Sequence, residues 1–165
     1  MHPITAALVR AWDWSYVDFE QAFEGMSLET LHCRPNGRII SIAEIAAHTV
    51  YSEASIVLRY LLGVPKEGWG EDIMLKDPYG WPPSILEGPP SSALLRMGVE
   101  DVRQAWLGHH RRFVSALEGF DLPPGHRFED EWSPAAPDVE TRLRFAAYHV
   151  AYHIGQIYTT RHLLG

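Results

Sequence analysis

Two histidines near the end of the chain, His149 and His153, lie four residues apart, and Gln156 follows three residues after the second. On a helix, side chains at positions i and i+4 share one face, with Cβ atoms about 5–6 Å apart, so both imidazoles could bind one divalent metal ion. The chain has nine histidines in 165 residues, and such a pair also arises by chance. The spacing is therefore a hypothesis that needs its structural context.

A third histidine, His48, lies in another helical run. At about 100° per residue, the two late histidines and Gln156 follow the edge of the apolar face of their helix, so they point partly toward a neighbouring helix. The same arithmetic aligns His48 with Ser52, Ser55 and Arg59. The two serines are small and leave space beside His48, which indicates a pocket.

We therefore expect His48, His149 and His153 to supply three nitrogens to one divalent ion. Three protein ligands with an open position are typical of catalytic metals, whereas structural zinc usually has four ligands. Without cysteine ligands, zinc, nickel, iron and manganese are all compatible with the site. The alternative is that these are histidines at the edge of the core, bonded to carbonyls or hydroxyls. We expect the other histidines to be solvated or packing residues: His2, His32, His109, His110, His126 and His162.

Other catalytic schemes have less support. The sequence has no Gly-x-Ser-x-Gly motif, no phosphate-binding glycine-rich loop and no dinucleotide-binding fingerprint. The single cysteine, Cys33, follows His32 in a connector, and this adjacency is weak support for a nucleophile. A di-metal site would need further carboxylates one turn from the late histidines, and the sequence lacks them.

The elements that position these residues are four amphipathic stretches, predicted as helices over about 4–23, 41–62, 91–117 and 138–163. Ser41 and Glu44 form a capping-box pattern at the start of the second, and Gly63 marks its end. With no convincing run of strands, this pattern predicts an all-α protein that forms a four-helix bundle in a single domain over residues 1–165.

Residues 63–90 are rich in glycine and proline and predict a 28-residue loop between the second and third helices. Loops of this length in a compact domain are often lids or pocket walls. Trp69, Tyr79 and Trp81 could dock it onto the core. The alternative is a flexible insertion.

Composition limits the classes of function. Hydrophobic residues make up 46% and charged residues 21%, as in an ordinary globular protein. The net charge of −7 argues against a nucleic-acid partner. No apolar run is long enough to span a membrane, and the N-terminus lacks the features of a signal peptide, so we expect a cytoplasmic protein.

The first predicted helix carries five aromatic residues, more than a narrow apolar stripe can bury. We therefore expect a homodimer in which some of these rings are covered by a second copy. Covering of the rings by the 63–90 loop is the monomeric alternative. The five residues are Trp12, Trp14, Tyr16, Phe19 and Phe23.

The chain resembles the DinB-like family over nearly its whole length. The resemblance rests on Ser41-Ile42-Ala43-Glu44-Ile45-Ala46-Ala47-His48 in the second helix and on His149-x-x-x-His153-Ile154-Gly155-Gln156-Ile157 in the fourth. It implies a bundle in up-down-down-up order, usually a homodimer, with one divalent metal on three histidines, here His48, His149 and His153. Characterised members include S-transferases and isomerases that use low-molecular-weight thiols such as bacillithiol or mycothiol.

The residues predict a metal-dependent enzyme that acts on a small molecule, and the resemblance implies transfer of a low-molecular-weight thiol to an electrophile. Gln156 and Arg59 are candidates for binding polar or anionic groups of the substrate. Two alternatives stay open: a metal-dependent hydrolase with bound water as the nucleophile, and a non-enzymatic metal-binding protein of the stress response.

Overall fold

The computed structural model describes residues 1–76, 79–80 and 85–165, and within these ranges the protein is all-α with no strand. The only strand-like pairing among them is a single bridge between Arg127 and Asp138. No helix in the described part of the chain is both long and apolar enough to cross a membrane. The helices are α1 (Pro3–Trp14), α2 (Phe19–Phe23), α3 (Leu28–His32), α4 (Ile42–Ala54), α5 (Ser92–Leu95), α6 (Val99–Ala116) and α7 (Val139–Leu164).

Helix α4 begins as its sequence predicts. The Ser41 hydroxyl accepts a hydrogen bond from the Glu44 amide, and the Glu44 carboxylate accepts one from the Ser41 amide. The helix then continues as a π-helix over Ser55–Leu61 and stops at Gly63, whose φ of 68° favours glycine. The π-helix forms wider i→i+5 turns, so it changes the face on which every later side chain lies.

Two of the predicted helices are interrupted. The first run ends at Trp14, because the chain turns over residues 15–18, where the Ser15 hydroxyl donates to the Trp12 carbonyl at 2.6 Å. The third run breaks before Gly98, which takes an extended conformation and becomes the N-cap of α6, with its amide bonded to the Asp101 carboxylate. The single helices predicted over 4–23 and 91–117 are each two helices.

The site depends on the packing of α4, which contacts both α6 and α7, while α1 packs against α7. The turn after α1 redirects the chain, so that four of the five aromatic residues of the first predicted helix are buried in the core: Trp12, Tyr16, Phe19 and Phe23. Trp14 alone of the five remains exposed, at 72%. The expected surplus of aromatic surface is therefore much smaller than the sequence indicated.

The segment 63–90 packs several of its described side chains against the core. Trp69, Met74, Leu75 and Tyr79 are buried, and the short 3-10 helix Ile73–Leu75 contacts α4. Trp81, the third aromatic residue expected to dock the loop, lies outside the described residues. The described part of this loop therefore contributes buried side chains to the core.

Candidate metal centre

Three histidines from two helices meet where α4 packs against α7. His48 comes from α4, and His149 and His153 come from successive turns of α7. One ligating atom from each can be chosen so that all three lie within 4.8 Å of one another. The ring centroids are 4.3 to 5.1 Å apart. His48 and His153 are buried, and His149 is half-buried.

A backbone carbonyl from the long loop orients His48. Its Nδ1–H donates a hydrogen bond of 2.7 Å to the carbonyl of Tyr79. A carbonyl can only accept, so the hydrogen of the neutral ring lies on Nδ1, and Nε2 carries the lone pair. The loop therefore leaves Nε2 of His48 free to bind a metal ion.

Gln156 orients His153 in the same way. The Nδ1–H of His153 donates to the Gln156 Oε1 at 2.7 Å, and the Gln156 Nε2 donates to the Tyr152 hydroxyl at 2.9 Å. Metal-binding histidines usually donate their second ring nitrogen to an oxygen of this kind, because the bond fixes the tautomer and the ring orientation. Nε2 of His153 then points toward Nε2 of His149, 3.1 Å away.

The two ring nitrogens of His149 differ in their surroundings. Its Nδ1 is buried and has no hydrogen-bond partner among the described residues. Its Nε2 faces the lone pair of another imidazole nitrogen. Two nitrogens bound at 2.0–2.1 Å to one tetrahedral zinc lie roughly 3.4 Å apart, close to the observed separation. With the His149 hydrogen on Nδ1, a cation shared between the rings would bind the Nε2 lone pairs of both.

All three rings are held in the neutral form that binds metals. Burial lowers the pKa of His48, and it lowers the pKa of His149 to about 2, with further contributions from His153 and His48. Burial followed by the proximity of His48 lowers the pKa of His153 to about 4. Since protons compete with metals for imidazole nitrogens, the cluster is ready to bind a cation at neutral pH. The donor set therefore fits one divalent ion.

A cavity of about 750 Å³ opens beside the three histidines. Its wall is mostly apolar, and its mouth carries exposed aromatic rings from α7. The lining residues, besides the three histidines, are Arg38, Ile39, Ile40, Ile45, Leu86, Phe145, Tyr148, Tyr152, Gln156, Thr159, Thr160 and Leu163. This volume suits a small organic molecule.

The two residues expected to bind substrate lie in different places. Gln156 lines the cavity, but its amide is already bonded to His153 and Tyr152. Arg59 is outside the cavity lining and forms an ion pair with Glu131 on the surface. Arg59 lies within the π-helix, whose wider turns change the face of its side chains relative to His48.

Some lining residues were not expected from the sequence. Ser52 and Ser55, which indicated a pocket beside His48, are not part of the cavity wall, and α4 contributes Ile45 instead. Tyr148 and Tyr152 precede His149 and His153 by one residue each, so their four-residue spacing was a visible signal. Arg38 lies in a connector without periodicity, and the sequence offered no signal for it.

Comparison with known proteins adds family information. Over 160 residues the chain is 30% identical to a protein provisionally named mannan endo-1,4-beta-mannosidase 5 from Oryza sativa subsp. japonica. The match covers 92% of this chain but only 28% of that protein. No solved structure matches significantly. The family model of the DinB superfamily matches residues 11–157, a span that includes all three histidines, and the chain belongs to this superfamily.

Proposed function

We propose that this protein is a metal-dependent enzyme that acts on a small molecule in the cavity beside His48, His149 and His153. The main support is the convergence of three imidazoles, two of which are turned inward by hydrogen bonds to Tyr79 and Gln156. Three protein ligands leave a coordination position open, as in catalytic metal sites. Zinc, nickel, iron and manganese are all compatible with nitrogen ligands.

The reaction we propose is transfer of a low-molecular-weight thiol to a small electrophile. A divalent ion held by the histidines would supply the Lewis acidity that deprotonates a bound thiol. The protein's own residues bind and orient the reactants. The Tyr152 hydroxyl accepts from Gln156, so its hydrogen is available to a ligand in the cavity. Phe145 and Tyr148 shield the apolar part of a ligand from water.

Two other functions use the same site. A metal-dependent hydrolase would activate water in place of a thiol, and a non-enzymatic metal-binding protein would bind the ion without turnover. Mannan hydrolysis has no support in the cavity, because glycosidases generally use two carboxylates, and the described lining residues include none.

One experiment separates these functions. Metal-loaded protein is incubated with low-molecular-weight thiols and a chromogenic electrophile, and in parallel with esters and amides without thiol. His149→Ala removes a ligand, and His162→Ala, an exposed histidine on the same helix, is the matched control. We expect thiol-dependent product with wild type and His162→Ala and none with His149→Ala. Ester or amide cleavage without thiol would support the hydrolase, and metal binding without any product would support the non-enzymatic function.

The proposal includes the architecture that the resemblance implies. Its four long helical segments are α1, α4 with its π-helical continuation, α6 and α7, and we propose that they form an up-down-down-up bundle. We also propose a homodimer, supported by exposed Trp14 at the end of α1 and exposed Val17 in the turn that follows. Light scattering should then give twice the chain mass of 18.7 kDa, and a mass equal to one chain would contradict the dimer.

A further inference from the structure

The distribution of charge around the cavity indicates what kind of molecule it binds. The chain carries a net charge of −7, with 21 acidic and 14 basic residues. Yet none of the described residues that line the cavity is acidic, and the one formally charged side chain among them is Arg38. Among its described lining residues the cavity therefore has one positive charge and no negative charge, in contrast to the acidic excess of the whole chain.

The Arg38 guanidinium also forms no hydrogen bond or ion pair with the described residues of the protein. Arg34, four residues earlier, donates to both oxygens of the Glu44 carboxylate and to the backbone carbonyls of Ile85 and Gly88. Through these hydrogen bonds the Arg34 guanidinium joins the long loop to α4. Arg38, by contrast, is exposed and has no ion pair or hydrogen bond from its side chain to any described residue. Its five N–H donors remain available to a ligand.

The rest of the wall is suited to an apolar group. Phe145 and Tyr148 are 40% and 62% exposed at the mouth, and their rings, 6.4 Å apart, lie along one side of α7. Ile39 follows Arg38 directly and also lines the cavity. Large exposed apolar side chains around one cavity are typical of a binding site. The cation and the apolar surface therefore line the same cavity.

We propose that the cavity binds small amphiphilic anions, with a carboxylate or similar acidic group on Arg38 and an apolar or aromatic portion against Ile39, Phe145 and Tyr148. This inference deepens the proposed function, since it names the class of substrate that the site would take. Guanidinium binds a carboxylate through two parallel hydrogen bonds, which selects anions over neutral molecules of the same shape. Arg38 is thus a specificity-determining residue.

The test compares two ligands of nearly the same shape, 3-phenylpropionate and 3-phenylpropionamide, by isothermal titration calorimetry. Metal-free and zinc-loaded protein are both titrated. Wild type should bind the carboxylate more tightly than the amide in both forms, and Arg38→Gln should weaken carboxylate binding by about 10-fold or more while leaving the amide unchanged. Arg38→Lys should keep part of the preference, because it keeps the charge. Arg10→Gln, the same change at an exposed position of α1 outside the cavity, should behave as wild type.

Several outcomes would overturn the proposal. Equal affinity for the two ligands, or an unchanged preference in Arg38→Gln, would remove Arg38 from recognition. A preference seen only with zinc would place the anion on the metal ion. Absence of saturable binding up to about 10 mM would show that the cavity does not take this class of ligand. Since the metal-free titration requires neither metal nor turnover, the result is independent of whether the enzymatic proposal succeeds.

Discussion

Gln156 contacts the candidate metal centre through His153. It accepts from the His153 Nδ1–H at 2.7 Å and donates to Tyr152 at 2.9 Å, so it fixes both the tautomer and the orientation of one ligand. Loss of such a partner typically costs 10- to 100-fold in metal affinity. We therefore propose that Gln156 is a positioning residue, and its contact with substrate stays a prediction.

We predict that Gln156→Ala weakens zinc binding by roughly 10- to 100-fold without abolishing it, because the three ligating nitrogens remain. The dissociation constant is measured by competition with a chromophoric chelator. Thr159→Ala, another cavity residue on α7, serves as the control and should bind zinc as wild type does. If Gln156→Ala and the control bind equally, the Gln156 bond has no role in holding the ion.

Acid should release the metal at a lower pH than the ordinary histidine pKa near 6.5 suggests. Burial and the neighbouring imidazoles lower the pKa of His149 to about 2 and that of His153 to about 4. Protons therefore compete weakly between pH 6.5 and 5, and affinity should decline mainly as the pH approaches 4. Titration of bound zinc from pH 7 to 4 measures this. A midpoint at 6.5 would contradict the neutral, buried cluster.

The three histidines could be predicted from sequence because helical periodicity fixes which face they occupy. The partners of their second nitrogens could be predicted only in part. Gln156 lies on the same helix as His153, so its spacing was visible. Tyr79 contributes a carbonyl from a loop without periodicity, and no side-chain pattern signals a backbone contact of that kind.

At the scale of elements, the connector between α6 and α7 is held by a buried arginine. Arg142 is fully buried and donates to the carbonyls of Ala136 and Tyr60 and to the carboxylate of Asp130. Its guanidinium carbon lies 3.9 Å from the centroid of the Phe128 ring. One side chain therefore joins the connector, the π-helix and α7.

We predict that Arg142→Met lowers the free energy of unfolding by about 3–5 kcal/mol, because it leaves Asp130 and two carbonyls without their buried donor. Arg144→Met removes an exposed pair with Glu140 on the same helix and should cost less than about 1 kcal/mol. Urea unfolding followed by circular dichroism measures both. If both variants lose a similar free energy of unfolding, the buried contacts of Arg142 stabilise the fold no more than an exposed ion pair does.

Helices α1, α4 and α6 meet at a second polar cluster, around buried Glu53. This carboxylate accepts from the Trp12 indole at 2.8 Å and from the Tyr16 hydroxyl at 2.7 Å, and it contacts His110 at 3.2 Å. Burial alone would lower the pKa of His110, but Glu53, followed by Asp13, raises it above its usual value. The folded protein therefore stabilises the protonated form of His110.

This shift has a defined consequence for stability. A histidine with a raised pKa contributes stability that is fully present below its unfolded value near 6.5 and is lost as the pH rises through the folded pKa. We predict that the melting temperature of metal-loaded wild type falls as the pH rises above 6.5. Glu53→Gln should be less stable by about 2–3 kcal/mol, and this pH-dependent loss should be reduced. If the melting temperature of Glu53→Gln depends on pH as that of wild type does, His110 is not the source of the pH dependence.

Helix boundaries were predictable from sequence where nearby capping residues or a glycine determine them. The capping box at Ser41 and the stop at Gly63 are complete within a few residues, so the boundaries of the second helical run were right. The breaks after Trp14 and before Gly98 were missed, because the apolar spacing continues through both. The buried roles of Arg142 and Glu53 depend on partners far along the chain, which periodicity cannot identify.

At the scale of the whole molecule, we expect the buried interior to maintain the fold without a metal ion. The fully buried side chains include Trp12, Trp69, Trp106 and Phe113, contributed by α1, the long loop and α6. These residues pack in one continuous core, and the three histidines of the candidate metal centre line the cavity beside it. This differs from small zinc-dependent domains, in which binding of the ion supplies most of the folding free energy.

We therefore predict that removal of metal by a chelator leaves the far-ultraviolet circular dichroism spectrum unchanged and lowers the melting temperature. At a free metal concentration 100-fold above the dissociation constant, binding stabilises the native state by about 2.7 kcal/mol, and a protein of this size loses roughly 2–4 °C per kcal/mol. The expected decrease is about 5–10 °C. The His149→Ala variant, treated in the same way, should show no shift, because it lacks a ligand. Loss of the helical signal on chelation would mean that the core depends on the ion, and an equal shift in His149→Ala would place the bound metal elsewhere in the protein.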